Sequence, residues 1–227
     1  MNRDIGSKFN ELPTAYALLL KGSVGTDAFP EAAWWERAPA IRFERDWKGE
    51  QADPLRATEV RLLWNEGNLF LRFFARYREL HVFPDARLDG WRDELWQRDV
   101  AEAFLQPDAS DARVYKELEV SPNGFWIDLH IAHGEKEEMR SGLRRRVVQN
   151  AAARTWTAEL AVPMRSLTPA FDPKRSWRAN FFRVEGKGEP RFYSAWSPTL
   201  TSVPNFHVPE AFGHLAFRET EEERRDS

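Results

Sequence analysis

The chain has 227 residues, 42% hydrophobic and 30% charged, a composition of soluble globular proteins and enough length for one large all-β domain with a sizeable core. A net charge of -3 gives no electrostatic reason to expect a nucleic-acid or polyanion partner. The absence of cysteine excludes disulfides and thiolate metal sites.

Ala15 to Leu20 is the one unbroken apolar run near the start. It is too short for a membrane-spanning helix and poor as the apolar core of a signal peptide; Asp4 and Glu11 precede it and no small-residue cleavage site follows. The chain is therefore expected to be cytoplasmic, with no membrane partner. The first fifty residues are the least regular, with Ala15 to Lys21 and Pro39 to Phe43 as candidate edge strands. Beyond them, alternation of apolar and polar residues prevails over helical spacing. Glu59–Trp64 and Leu69–Phe74 flank Asn65-Glu66-Gly67-Asn68, a hairpin signal. Asp99–Leu105 and Val114–Val120 form a second pair, and Phe125–Ile131 follows the turn Ser121-Pro122-Asn123-Gly124. Glu135 to Glu138, with Lys136 among them, reads as an exposed loop. Leu143–Gln149 and Thr155–Val162 pair around Asn150-Ala151-Ala152-Ala153, and Pro163–Leu167 is a short helical turn. Trp177–Glu185 and Arg191–Trp196 flank Gly186-Lys187-Gly188, and Gly213–Phe217 closes the domain. Many short strands separated by turns predict an all-β sandwich, one domain over residues 1–218, with a charged, disordered tail at 219–227.

Ten tryptophans are many for this length. Trp64, Trp126, Trp156 and Trp177 alternate with polar neighbours inside strands and are expected in the core. Trp96, among Asp93, Glu94, Arg98 and Asp99, and Trp196, between small residues and Pro198, each read either as packing residues or as exposed rings able to stack on a ligand. Glu102 shares the parity of Val100 and Phe104, an unexpected face for a carboxylate. It needs a concave binding face, a bulge, or a buried cation such as Arg183 or Arg113. Glu117 and Glu119 also share a face, so the three carboxylates are either a solvated patch paired with arginines or a site for a sugar, a cation or a metal-bound ligand. The five histidines show no ligand spacing, and no Gly-x-Ser-x-Gly elbow occurs. His207 is expected to order the loop near Trp196. Arg144-Arg145-Arg146 suits a solvated sheet edge.

Several of these segments together resemble carbohydrate-binding module family 9 and its stand-alone relatives. Trp96-Gln97-Arg98-Asp99-Val100-Ala101-Glu102-Ala103-Phe104 is similar to the family's Trp-x-x-Asp-x-x-Glu-x-Phe, and Asn205-Phe206-His207-Val208-Pro209-Glu210-Ala211-Phe212-Gly213 to its closing motif. The resemblance covers about Ala32 to Phe217. It implies a β-sandwich of two antiparallel sheets, similar to the DOMON group, and a site in which two tryptophans sandwich a terminal sugar. Trp96 matches the first ring and Trp196 stands for the second, while Glu102 matches a sugar-binding carboxylate. Where the family has an arginine on the next strand, this chain carries Glu117, which changes the hydroxyl pattern accepted. The resemblance also implies that structural calcium can bind, with no cofactor required and no ligands mapped.

Together these expectations describe a non-catalytic binder of a mono- or oligosaccharide, with Trp96, Trp196, Glu102, Glu117 and Arg183 as ligand-binding residues. The alternatives are a DOMON-like interaction or accessory domain with a protein partner and a decayed sugar site, and, further off, a glycoside hydrolase.

Overall fold

The computed structural model describes residues 11–21 and 29–219. The expected charged tail falls almost wholly outside them. Among the described residues there are thirteen strands, two short α-helices and three 3-10 turns. β1 (Thr14–Leu19), α1 (Ala32–Arg37) and β2 (Ile41–Phe43) precede the hairpin β3 (Thr58–Trp64) and β4 (Asn68–Arg76). After a long loop come β5 (Val100–Gln106), β6 (Val114–Val120), β7 (Trp126–Ala132) and β8 (Glu135–Glu138). β9 (Arg144–Asn150), β10 (Thr155–Pro163) and α2 (Met164–Leu167) follow, then β11 (Trp177–Glu185), β12 (Phe192–Ala195) and β13 (Gly213–Arg218). No described helix is long and apolar enough to cross a membrane.

The strands form one hydrogen-bonded path, β8-β7-β6-β5-β11-β13-β1-β3-β4-β10-β9, with β12 on β11 and β2 on β3. This sheet curls into an all-β sandwich. β5 to β8, β11 and β12 form one layer, β1 to β4, β9 and β10 the other, and β13 joins them. Phe73 of one layer meets Phe181 of the other, ring centres 6.5 Å apart, and the cluster between the layers includes Trp64, Trp126, Trp156 and Trp177, all buried as expected. Pairing is antiparallel except at β1, which runs parallel to both β13 and β3. β1 is therefore not the edge strand expected of an isolated apolar run: the crossover through α1 and β2 brings the chain back beside it.

Two elements differ from the alternation pattern. Residues 135–138 form β8, an edge strand on β7, because Gly134 (φ 93°) takes the turn and charged side chains suit an edge. α1 was not legible as a helix; it buries Trp35 with Leu18, Leu63 and Phe70 on the outer face of the β1 layer. The β3–β4 turn is held by Asn65 Oδ1, which accepts from Gly67 N at 3.0 Å and Asn68 N at 2.8 Å. β9 is the other end of the path and carries the arginine run, as an exposed edge should.

Candidate functional site

The register of β5 decides what the site contains. Glu102 lies opposite Phe182 of β11 on one side and Glu119 of β6 on the other, and Phe104 lies opposite Glu117. Val100, Glu102, Phe104, Tyr115, Glu117, Glu119, Phe182 and Val184 therefore share one face, since side chains alternate along a strand. The opposite face, with Ala101, Ala103, Leu118 and Phe181, packs into the inter-layer core. All of β5 is nonetheless buried, because loops cover its carboxylate-bearing face too.

Those loops leave a cleft of about 500 Å³. Glu102 and Glu117 line its depth. The β4–β5 loop adds His81 and Trp96, β8 adds Lys136, the β11–β12 turn adds Lys187, Glu189 and Arg191, and Tyr193 lies on β12. Asn205, Phe206 and His207 come from the β12–β13 loop. The rim is anchored deliberately. Leu95, fully buried beside the partly buried Trp96, holds a 3-10 turn over Leu95–Gln97, and Arg191 Nη1 donates to Trp96 O at 3.0 Å. Asp99, also fully buried, accepts from His81 N at 3.0 Å and Gly186 N at 2.8 Å, tying the β4–β5 loop to the β11–β12 turn. On the opposite wall Phe206 stacks on Phe182 with centres 4.1 Å apart, and Tyr115 Oη lies 2.7 Å from His207 Nδ1. Desolvation beside these rings is the largest cause holding the His207 pKa below its ordinary value.

Glu102, Glu117 and Glu119 each place an oxygen within 4.8 Å of the other two, and each residue is at most 2% exposed. Glu102 Oε1, Glu117 Oε2 and both oxygens of Glu119 have no hydrogen-bond partner. Burial, reinforced by the Glu117 charge, pushes the Glu102 carboxyl well above the usual carboxylate range. Burial first, then the Glu102 and Glu117 charges, does the same to Glu119. The nearest relief is Lys136. Its Nζ lies 4.0 Å from Glu117 Oε2 and 4.0 Å above the centre of the Trp96 ring, and its charge opposes both upward shifts. Among the described residues this is the one group of three or more such side chains close enough to share an ion. Its hard oxygens suit calcium or magnesium in kind, but Lys136 already supplies a cation beside them.

Trp96, Glu102 and Glu117 are thus brought together, and two expected partners are not. Trp196 lines a different cavity, of about 680 Å³, with Phe43, Phe74 and Pro198. It follows Ala195, which lies opposite Phe182, so its backbone N–H reaches Phe181 O and its ring packs on Phe181, on the face away from the cleft. Trp96 and Trp196 therefore do not form a sandwich. Arg183 lies opposite Ala101, so it too points into the inter-layer core, and it partners neither Glu102 nor Glu117. It is fully buried, donates to Val184 O at 2.7 Å, lies 3.5 Å from Glu185 and sits over the Trp156 ring. Arg113 pairs with Asp111 at the exposed β6 entrance. His207 orders the loop beside Tyr115 and Trp96 rather than beside Trp196. Alternation did not mark Lys136, Arg191, Tyr193 or Phe206 as site residues; for Lys136 the usable signal was the strand after the His133-Gly134 turn.

A cleft on one face of a β-sandwich, walled by loops at the strand ends and carrying an aromatic ring beside buried carboxylates, is the candidate ligand site. No protein-family model matches the chain. Its fold is that of carbohydrate-binding module family 9. A Bacteroides uniformis protein for which carbohydrate binding has been proposed superposes with a TM-score of 0.71 at 16% identity, over 91% of this chain and 100% of that one. A family 9 module of Caldicellulosiruptor kristjanssonii, solved with cellotriose, superposes with a TM-score of 0.64 at 13% identity, over 95% of this chain and 98% of that one. By sequence, the chain is 25% identical over 183 residues to a protein of Arthroderma benhamiae described as an extracellular protein, covering 72% of this chain and 80% of that one.

Proposed function

We propose that the protein binds carbohydrate, without turning it over, in the cleft between Trp96 and the β12–β13 loop. The observation that carries this is the placement of a partly buried Trp96 beside Glu102 and Glu117 in one cleft. An aromatic face stacks on the C–H face of a pyranose, while buried carboxyl groups accept or, where protonated, donate hydrogen bonds to its hydroxyls. The fold is the scaffold on which a family 9 module holds cellotriose. Tyr193, Phe206 and His207 provide the facing wall in place of a second tryptophan. Binding of this kind requires no cofactor, so chelation of calcium should leave it intact.

A monosaccharide of about a dozen heavy atoms, at about 0.3 kcal/mol per atom, gives about 4 kcal/mol and a Kd near 1 mM. The test is a tryptophan-fluorescence titration with glucose and cellotriose on the wild type, Trp96→Ala and Trp196→Ala. A saturable change lost in Trp96→Ala and kept in Trp196→Ala is expected. A response that survives Trp96→Ala, or none from a folded protein with either sugar, overturns the proposal.

A further inference from the structure

The cleft backs onto more buried carboxyl oxygens than a neutral sugar can partner. Glu102, Glu117 and Glu119 are fully or almost fully buried, and four of their oxygens lack any hydrogen-bond partner. Three carboxylates this close in a desolvated pocket must be neutralised by protons or by a cation. A sugar hydroxyl donates one hydrogen bond and brings no charge, so it leaves most of these oxygens without a partner.

One cation already shows how the pocket treats an ammonium. Lys136 reaches in from β8 and sits over the Trp96 ring and beside Glu117, each at 4.0 Å. An aromatic face next to a carboxylate is the combination that recognises ammonium groups. Lys136 comes from an exposed edge strand and its side chain is still about a third exposed, so it can swing into water and leave the seat. Glu119 stands behind Glu102 and Glu117, wholly buried with both oxygens unpartnered.

We propose that the cleft prefers a ligand carrying a protonated primary amine beside its hydroxyl groups, an amino sugar, whose ammonium takes the place of Lys136 between Trp96 and the Glu102–Glu117–Glu119 cluster. This rests on the carbohydrate proposal above and names the class of sugar. The hydroxyls keep the contacts available to any pyranose, and the ammonium adds cation–π attraction to Trp96 and charge-assisted hydrogen bonds to the glutamates. An N-acetyl group in the same position is neutral and larger, and loses both.

The test is a fluorescence titration of the full chain at pH 6.5, where a sugar amine is protonated, with glucosamine, glucose and N-acetylglucosamine. Glucosamine is expected to bind at least about tenfold more tightly than either neutral sugar, the size of one well-placed cation–π and ion-pair contribution. Lys136→Met, with its folding checked by thermal unfolding, should tighten glucosamine binding further by removing the tethered competitor. Glu117→Gln should erase the preference for glucosamine over glucose. Equal binding of glucose and glucosamine, or weaker glucosamine binding in Lys136→Met, overturns this inference and leaves the carbohydrate proposal standing. No response to any of the three sugars or to cellotriose overturns both. A saturable response to calcium chloride alone that glucosamine fails to displace makes the cluster a metal site and overturns the amine assignment.

Discussion

Replacing Glu119 with glutamine isolates the electrostatic cost of the carboxylate cluster. Glu119 is fully buried, faces Glu102 across β5 and β6, and has its carboxyl pushed well above its ordinary value of 4.5, first by burial and then by the neighbouring carboxylates. Between pH 4.5 and that raised value, the folded protein holds a proton that the unfolded chain has released. Stability is therefore fully present below pH 4.5 and is lost as pH rises through the window, with a slope of up to about 1.4 kcal/mol per pH unit for this one group. Glutamine is nearly isosteric, does not titrate, and offers an amide N–H to Glu102 or Glu117. Below pH 4 the two proteins should differ by less than about 0.5 kcal/mol. From pH 4.5 upward Glu119→Gln should gain on the wild type by about 1.4 kcal/mol per unit until the raised value is passed. For a domain of this size that is about 3 to 6 °C in Tm per pH unit. Thermal and urea unfolding, followed by tryptophan emission from pH 4 to 8, reads this directly. Parallel stability curves for the two proteins across that range would refute the claim that Glu119 is held protonated by the fold.

Three further outcomes follow from the packing. Arg183→Ala empties the seat over Trp156 and leaves the buried Glu185 with Arg56 alone as its cation, so it should cost about 2–5 kcal/mol in urea unfolding; a loss of sugar response with unchanged stability would return Arg183 to the binding site. A Cβ on Gly213 would stand 2.5 Å from Pro13 O and 2.7 Å from the Trp196 ring, so Gly213→Ala should destabilise by about 1–3 kcal/mol. A neutral result there would mean that the Trp196 ring is not wedged against β13. Asp99→Ala leaves the His81 and Gly186 N–H groups without their acceptor, costing about 1–3 kcal/mol, and should increase acrylamide quenching by releasing the Trp96 loop. Unchanged quenching would count against Asp99 as the clamp of that loop.

Much of the architecture was legible along the chain because alternation is a local property. A residue two places on lies on the same face wherever the strand ends up. That parity placed Glu102 with Val100 and Phe104, put Glu117 and Glu119 on one face, and assigned Trp64, Trp126, Trp156 and Trp177 to the core, and each of these holds. The Asn65 to Asn68 turn was equally local, since one asparagine side chain makes it. What alternation cannot supply is register between strands far apart in sequence. Arg183 and Phe182 are neighbours in the chain, but the hydrogen bonds between β11 and β5 decide which of them meets Glu102, and they chose Phe182. The same pairing, carried to β12, turned Trp196 towards Phe181 and away from Trp96. Lys136 read as a loop residue because four charged side chains in a row show no alternation, and only its pairing on β7 brings its ammonium to Trp96 and Glu117. The sequence by itself determined which side chains share a strand face; the tertiary structure decided which faces meet, because contacts between distant segments depend on inter-strand hydrogen bonding and loop closure that no local pattern encodes.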